Sequence, residues 1–600
     1  MAVDFDPAKG FEEHLKDLLA RERCRLEEEA GFEPEVLSHF RRPEEKPFTA
    51  DQRAATTILI GGLTWKHEQL MKAVFEGGGY RCETLPNPVL HHYQIGREYG
   101  NNGQCNPTYF TVGSLIHFLQ RLETEGLSRQ EILDRYVFLT AGTCGPCRFG
   151  MYESEYRMAL RKAGFDGFRV LLYQQDQGIR PTQGEPGLKY TPDFGFGIFN
   201  AFNLGDVLHD LVYLIRPYEI VPGETDRVLG SCLQELTEFL RDRHPVEILR
   251  IFPPWFSAKV ASKPVLKTIL RVSAKFYDHL YGSSIRDVLS ACKERFNTIR
   301  VDRTRVKPIV KITGEFWAQT TEGDGNFRMF SFLEQEGAEV HVEPIATWLV
   351  YLLHQAKARQ IDRKGLDDPH PNPRWWEMGK HLANTLHFQK RILMFSLGER
   401  IYAHQYRRVV EALGGLAHEL VSQQELARLA APYYHCLARG GEGHLEVAKN
   451  IYYTVNKRSH MVLSLKPFGC MPSSQSDGVQ SAVTQHFKDM IFLPIETSGE
   501  GEINACSRVQ MALGEARNKA RIELETVLKA VGRTLDDIRS HVEQHPELQR
   551  PFYPVPRYPG IIGVAANFAR HVSDLMDRHK LFSVMPRMKR TGERAGSTLA

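Results

Sequence analysis

Residues 56–85 read TTILIGGLTWKHEQLMKAVFEGGGYRCETL. A short β-branched apolar run, TTILIGG, leads into a helical pattern over LTWKHEQLMKAVFEGGG and then into a second strand-like run, YRCETL. Strand, glycine turn, helix, strand is the unit of a parallel sheet, because parallel neighbours need a crossover that a helix supplies. The unit continues downstream. TYFTVGSLIHFLQRLE has amphipathic helical spacing, YVFLT is strand-like, YESEYRMALRKAGF is helical and FRVLLYQQD is strand-like again.

The pattern then restarts. VKPIVKITGEFWAQTTEGDGNFRMFSFLEQEGAEVHVEP repeats strand, Gly-bearing turn, helix and strand, and MVLSLKP, SDGVQSAVTQHF and DMIFLPIET come next as strand, helix and strand. Residues 201–300 and 345–457 read as helical blocks. The fold class predicted is α/β, with two related lobes of parallel, helix-covered sheets, each carrying a helical insertion. The predicted order is an N-terminal helical arm over 1–50, a first lobe over 51–300, a second over 301–545 and a tail over 546–600. The joint is placed at TIRVDRTRVK, 298–307, which is charged and lacks apolar periodicity. The tail contains the Pro-rich RPFYPVPRYPG, read as a surface strap, and the basic RMKRTGERAGSTLA.

A hydrophobic fraction of 42%, a charged fraction of 25% and a net charge of +3 describe an ordinary globular chain with no global pull toward nucleic acid or anionic lipid. No apolar run approaches the roughly 20 residues of a membrane span, and the N-terminus is too charged for a secretory signal. The expected compartment is the cytoplasm, where thiols stay reduced.

Ten cysteines are too few for a disulfide scaffold in a chain of 600 residues. Cys24, Cys82, Cys232, Cys292 and Cys436 fall singly in helical or strand patterns and read as inert thiols. Cys105 in GNNGQCNPTYF, Cys144 and Cys147 in GTCGPCRFG, and Cys470 in KPFGCMPSS sit among Gly, Pro, Asn and Ser in turns linking strands to helices. Cys506, near a helix start, is ambiguous. In open parallel sheets ligands bind outside the carboxyl ends of the strands, where these turns belong.

Three chemistries fit such thiols. TCGPCR resembles a thioredoxin motif, which would make Cys144 and Cys147 a cycling dithiol, yet no partner strand of that fold is recognisable. Structural zinc wants two close pairs of ligands and only one is present. His67-Glu68 and His418-Glu419 lack the second His of a zinc-protease helix, and His91–His92 reads as a surface pair. An iron–sulfur cluster draws thiolates from well-separated loops, and Cys105, Cys144, Cys147 and Cys470 would form such a site between the lobes.

Four long stretches carry a resemblance: GREYGNNGQCNPTYFTVGSLIHFL, TAGTCGPCRFGMYESEYRMALRKAGFDGFRVLLYQQDQG, GEFWAQTTEGDGNFRMFSFLEQEGAEV and KPFGCMPSSQSDGV. Over roughly residues 56–545 the chain resembles the large iron–sulfur proteins of the 2-hydroxyacyl-CoA dehydratase and CoA-enzyme activase group. The resemblance implies a 4Fe-4S cluster on cysteines and a partner ATPase that delivers a low-potential electron. It also implies reductive or dehydrating, lyase-like chemistry on a small molecule such as an acyl-CoA. No Gly-rich phosphate loop is found in this sequence, so the ATPase is expected as a separate polypeptide. A non-catalytic electron carrier or scaffold is the alternative, and a homo-oligomer is left open.

Several other residues are candidates. Glu315, Trp317, Asp324 and Asn326 either line the crevice or build its turn, as do Gln174, Gln175 and Asp176. Glu496, Glu500 and Glu502 could supply acid–base chemistry or cap the following helix, and the cap is the favoured reading. Arg148 could lower the Cys147 thiol or bind an anion. Trp375–Trp376 is expected to pack inside the helical insertion.

Overall fold

The computed structural model describes residues 11–31, 45–143, 145, 147–174, 178–179, 187–242, 272–275, 277–279, 282–438 and 440–584. Residues 1–44 form one unit, whose helix Phe11–Glu29 corresponds to the charged stretch of the predicted arm. Everything from residue 45 onward belongs to the second unit.

That unit holds two sheets. The first contains β1 (Thr57–Ile60), β2 (Arg81–Thr84), β3 (Tyr136–Gly142), β4 (Arg169–Gln174) and β5 (Gly178–Ile179), in the order β2-β1-β3-β4-β5. Its first four strands are parallel, with Thr57 opposite both Arg81 and Tyr136. β5 adds a two-residue antiparallel edge, a small departure from the all-parallel expectation. The second sheet contains β6 (Ile309–Gly314), β7 (Glu339–His341), β8 (Met461–Pro467) and β9 (Phe492–Thr497), in the order β7-β6-β8-β9, parallel throughout. Each lobe thus runs second, first, third, fourth strand, and the chain changes direction between its first and third strands. β6 and β8 are buried along their whole length, as strands covered on both faces must be.

The helical insertions do not stand apart. The helices Pro192–Ile215, Glu224–Arg241 and Ser283–Thr298 share one core with Ile345–Asp362 and Met378–Ala412. Leu208, Leu236 and Phe296 of the first insertion lie in the same cluster as Tyr406, Val409 and Leu413 of the second. The joint near 298–307 is likewise no exposed linker. Ile299 and Val301 are buried, and Arg303 donates to the carbonyls of Leu548, Arg550 and Pro551.

The C-terminal expectation needs correcting. Beyond the Pro-rich strap, Val564–Val584 is a helix whose Ala565, Phe568, Ala569 and Val572 pack on Leu524, Val527 and Ile538. The prolines mark the strap, but the apolar spacing of VAANFARHV governs the segment after it. The basic residues 585–600 lie outside the described residues. No helix among the described residues is long and apolar enough to cross a membrane.

Candidate functional site

The site lies at the carboxyl ends of the strands and is assembled from helix beginnings. Cys105 is the N-cap of the helix Asn106–Thr124, and Cys470 is the N-cap of Met471–His486. Each is followed by a residue and then a proline, Pro107 or Pro472, in the first helical turn. Proline is tolerated there because its missing N–H would have had no intrahelical partner. Cys147 caps the short turn Arg148–Met151 that opens into Tyr152–Lys162. Glu315 caps Phe316–Thr320, accepting from Ala318 N at 2.9 Å, and Glu442 precedes Gly443–Val455.

Direct contacts bring the three cysteine turns together. Asn106 N donates to Phe468 O at 3.3 Å, which ties the Cys105 turn to the Cys470 turn across the two lobes. Gly469, at φ +77°, packs on them, and a Cβ built there would sit 3.7 Å from Cys105 Cα and 3.8 Å from Arg148 Nη1. Arg148 donates to the Gly103 carbonyl and so fastens the Cys147 turn to the Cys105 loop. Cys105 and Cys470 are each 7% exposed, and Cys147 is half-buried. Cys144 lies outside the described residues.

Burial dominates the electrostatics. It pushes the Cys147 thiol up to about 12 and raises those of Cys105 and Cys470, and the Glu315 carboxylate adds to all three. Cys147 also feels Cys105, and Cys470 feels Cys147, so the thiols lie within reach of one another's charge. Burial lifts Glu315 to about 7 and Glu442 to about 8, with the Glu315 charge contributing at Glu442. Tyr152 OH lies 3.1 Å and Thr108 Oγ1 3.2 Å from Cys105 Sγ. Gln319 Nε2 donates to Glu442 Oε2 at 2.7 Å, while Gln319 Oε1 is buried without a partner.

The donor set suits an iron–sulfur cluster. Soft thiols, those of Cys105 and Cys470 buried, are grouped at the positive ends of two helices of 19 and 16 residues. Among the described residues, which exclude Cys144, no group of three His, Cys, Asp or Glu side chains is placed to hold a metal ion.

Beside the Cys470 turn, a cavity of about 480 Å³ opens at the carboxyl ends of β8 and β9. Phe468, Lys466, Arg508, Asp477, Glu496 and Glu500 are among its lining residues. That volume falls in the small-molecule range. Two cations against three carboxylates do not make the basic surface that a polyphosphate tail calls for.

The remaining candidates divide. Trp317 packs on Phe110, Asp324 accepts from Leu90 N, and Asn326 bonds the carbonyls of Ala318 and Thr321, so these three build the turn and only Glu315 faces the thiols. Gln174 ends β4, and Gln175 and Asp176 lie outside the described residues. Glu502 stands in the first turn of its helix as a cap would, but Glu496 and Glu500 line the cavity instead. Trp375 and Trp376 are 81% and 56% exposed and do not pack in the insertion. His67 and His418 pair with Asp206 and Asp210, and His92 is buried against His117 rather than at the surface. Cys436 and Cys506 are half-buried, and Cys232 lies against Cys292 inside the helical core.

Glu442, Gln319 and Tyr152 escape the sequence reading. A signal for Glu442 exists: RGGEGH puts an acid in a glycine turn before a helix, just as GNNGQCN does for Cys105. Comparison with models of known protein families and with curated proteins gives no match for this chain.

Proposed function

We propose that Cys105, Cys144, Cys147 and Cys470 hold a 4Fe-4S cluster with which the protein carries out reductive or dehydrating chemistry on a small molecule in the cytoplasm. A separate ATPase is the proposed electron donor. The observation that carries this reading is the convergence of the described thiols, drawn from both lobes, at capping positions. When bound, the cluster supplies electrons singly at low potential.

The chain's own residues supply the rest. Burial keeps water away, the Gly469 and Gly103 turns fix the thiols, and the two long helices direct positive dipole ends toward a negatively charged group. Glu315 and Glu442 titrate near neutrality, which suits carboxyls that hold and release a proton beside a reacting group. Gln319 orients Glu442 through its amide.

The neighbouring cavity favours catalysis over a pure carrier or scaffold. Its acidic lining argues for a compact substrate, or for a thioester whose nucleotide end stays outside.

Anaerobically purified protein is expected to be brown and to contain about four irons and four sulfides per chain. Cys144→Ser and Cys147→Ser should lose the colour, whereas Cys232→Ser and Cys292→Ser should keep it. Iron-free parent protein from an anaerobic preparation, or full iron in all four variants, would refute the assignment.

A further inference from the structure

The 35-residue helix Met378–Ala412 buries Asn384, Tyr402, Tyr406 and Val409 along one face. On the opposite side Met378, Leu382, Leu386, Leu393 and Leu397 are 72%, 60%, 60%, 68% and 53% exposed. At 3.6 residues per turn these five fall within an arc of about 100°, on the side where a solvent-facing helix carries charge. The surroundings reinforce the patch. Ten of the 28 exposed large apolar side chains among the described residues lie between positions 361 and 397, Trp375 and Trp376 included. Contiguous apolar surface of this kind marks an interaction site.

We propose that this stripe is a homodimer interface, in which a second copy lays the same helix antiparallel across it about a two-fold axis between Gln389 and Lys390. The spacing of the leucines argues for a second copy over any other occupant. Leu382 and Leu397 are equally far from that midpoint, and so are Leu386 and Leu393. An antiparallel pair therefore sets Leu382 against the partner's Leu397 and Leu386 against the partner's Leu393, each contact occurring twice. A two-fold interface requires such self-complementarity, whereas a lipid surface or an unrelated protein does not. At the axis Gln389, which falls within the stripe, lies next to its own copy.

The dimensions agree. The leucines span about 22 Å of helix. The five side chains offer on the order of 600 Å² per copy, close to the roughly 800 Å² per partner of a standard interface, with Met394 and the tryptophans on the margin.

Sedimentation equilibrium of the full chain is expected to give twice its 68.6 kDa mass. The double substitution Leu386→Glu and Leu393→Glu should reduce this to the single-chain mass with an unchanged circular-dichroism spectrum. Gln389→Cys, next to the axis, should cross-link to itself with a short bis-maleimide beyond the parent's background, and Met378→Cys should not. Cross-linking decides the matter if the double variant fails to fold. The proposal is overturned by a single-chain parent, by a dimer that survives both glutamates, or by cross-linking from Met378→Cys without Gln389→Cys. Binding of a single-chain parent to phosphatidylserine–phosphatidylcholine vesicles, lost in the double variant, would assign the stripe to lipid and overturn it as well.

Discussion

The two lobes share a strand order but not an interior. In the first, β1 and β3 send Ile58, Leu59, Ile60, Val137 and Phe138 into apolar cores. In the second, β6 and β8 bury Lys311, Ser464 and Lys466. Lys311 and Lys449 flank Glu343 at 2.6 and 3.1 Å, and Lys466 pairs with Glu446 at 3.0 Å and with Asp477. Ser464 and Ser476 also donate to Glu446. The site edges differ in the same way. A helix before the third strand begins at Cys105 in the first lobe and just after Glu442 in the second. One topology therefore presents Cys105 and Cys147 from one lobe, and Cys470 together with the acids Glu315 and Glu442 from the other. Buried ion pairs rarely add net stability over apolar packing, so the charged interior of the second lobe points to a requirement for fixed polar geometry beneath its half of the site.

The sharpest way to break the comparison is to remove one thiol from each lobe. Cys105→Ser and Cys470→Ser should both abolish bound iron. If only the first-lobe variant did so, the site would belong to that lobe alone.

Next in size is the end of each first strand. Gly314, at φ +119°, lies so close to β8 that a Cβ would run into the Leu465 carbonyl. Gly314→Ala should cost about 4 kcal/mol or more in urea unfolding. Gly61, directly after β1 in the first lobe, would bring a Cβ only to 3.0 Å from the Leu85 side chain, and Gly61→Ala should cost about 1 kcal/mol. Equal costs would mean that the two strand ends are not packed differently.

Between these lies Glu343. Burial opposes its charge, but Lys311 and Lys449 hold its carboxyl down to about 2, below the ordinary 4.5. A lowered carboxyl stabilises the fold above its unfolded pKa, and the stabilisation disappears as pH falls from about 4.5 toward 2. Glu343→Gln should therefore cost about 3 kcal/mol at neutral pH and progressively less in acid. A penalty independent of pH would show that the ion pair is not its source.

Much of the architecture is legible in the sequence because alternating apolar runs and glycine turns are local signals. TTILIGG and VKITGEFW mark matching first strands, and Cys-x-Pro before a helix marks two of the thiols. The features that escape depend on distant partners. Nothing near Arg303 announces that its guanidinium meets carbonyls from 548 to 551, or that Trp375 and Trp376 stay at the surface. Glu442 joins the site through Gln319, 123 positions away in sequence. The Pro-rich strap hides a helix because chain breakers are a louder local signal than the apolar spacing beyond them.

The helical core shared by both insertions has a consequence for the proposed electron transfer. Lobes cross-braced in this way hold the Cys105 and Cys470 turns in a fixed relation. Sulfurs gripped at constant separations ask for little rearrangement when a charge arrives. If the proposed cluster is held there, transfer into it should be paced by how near the donor can come.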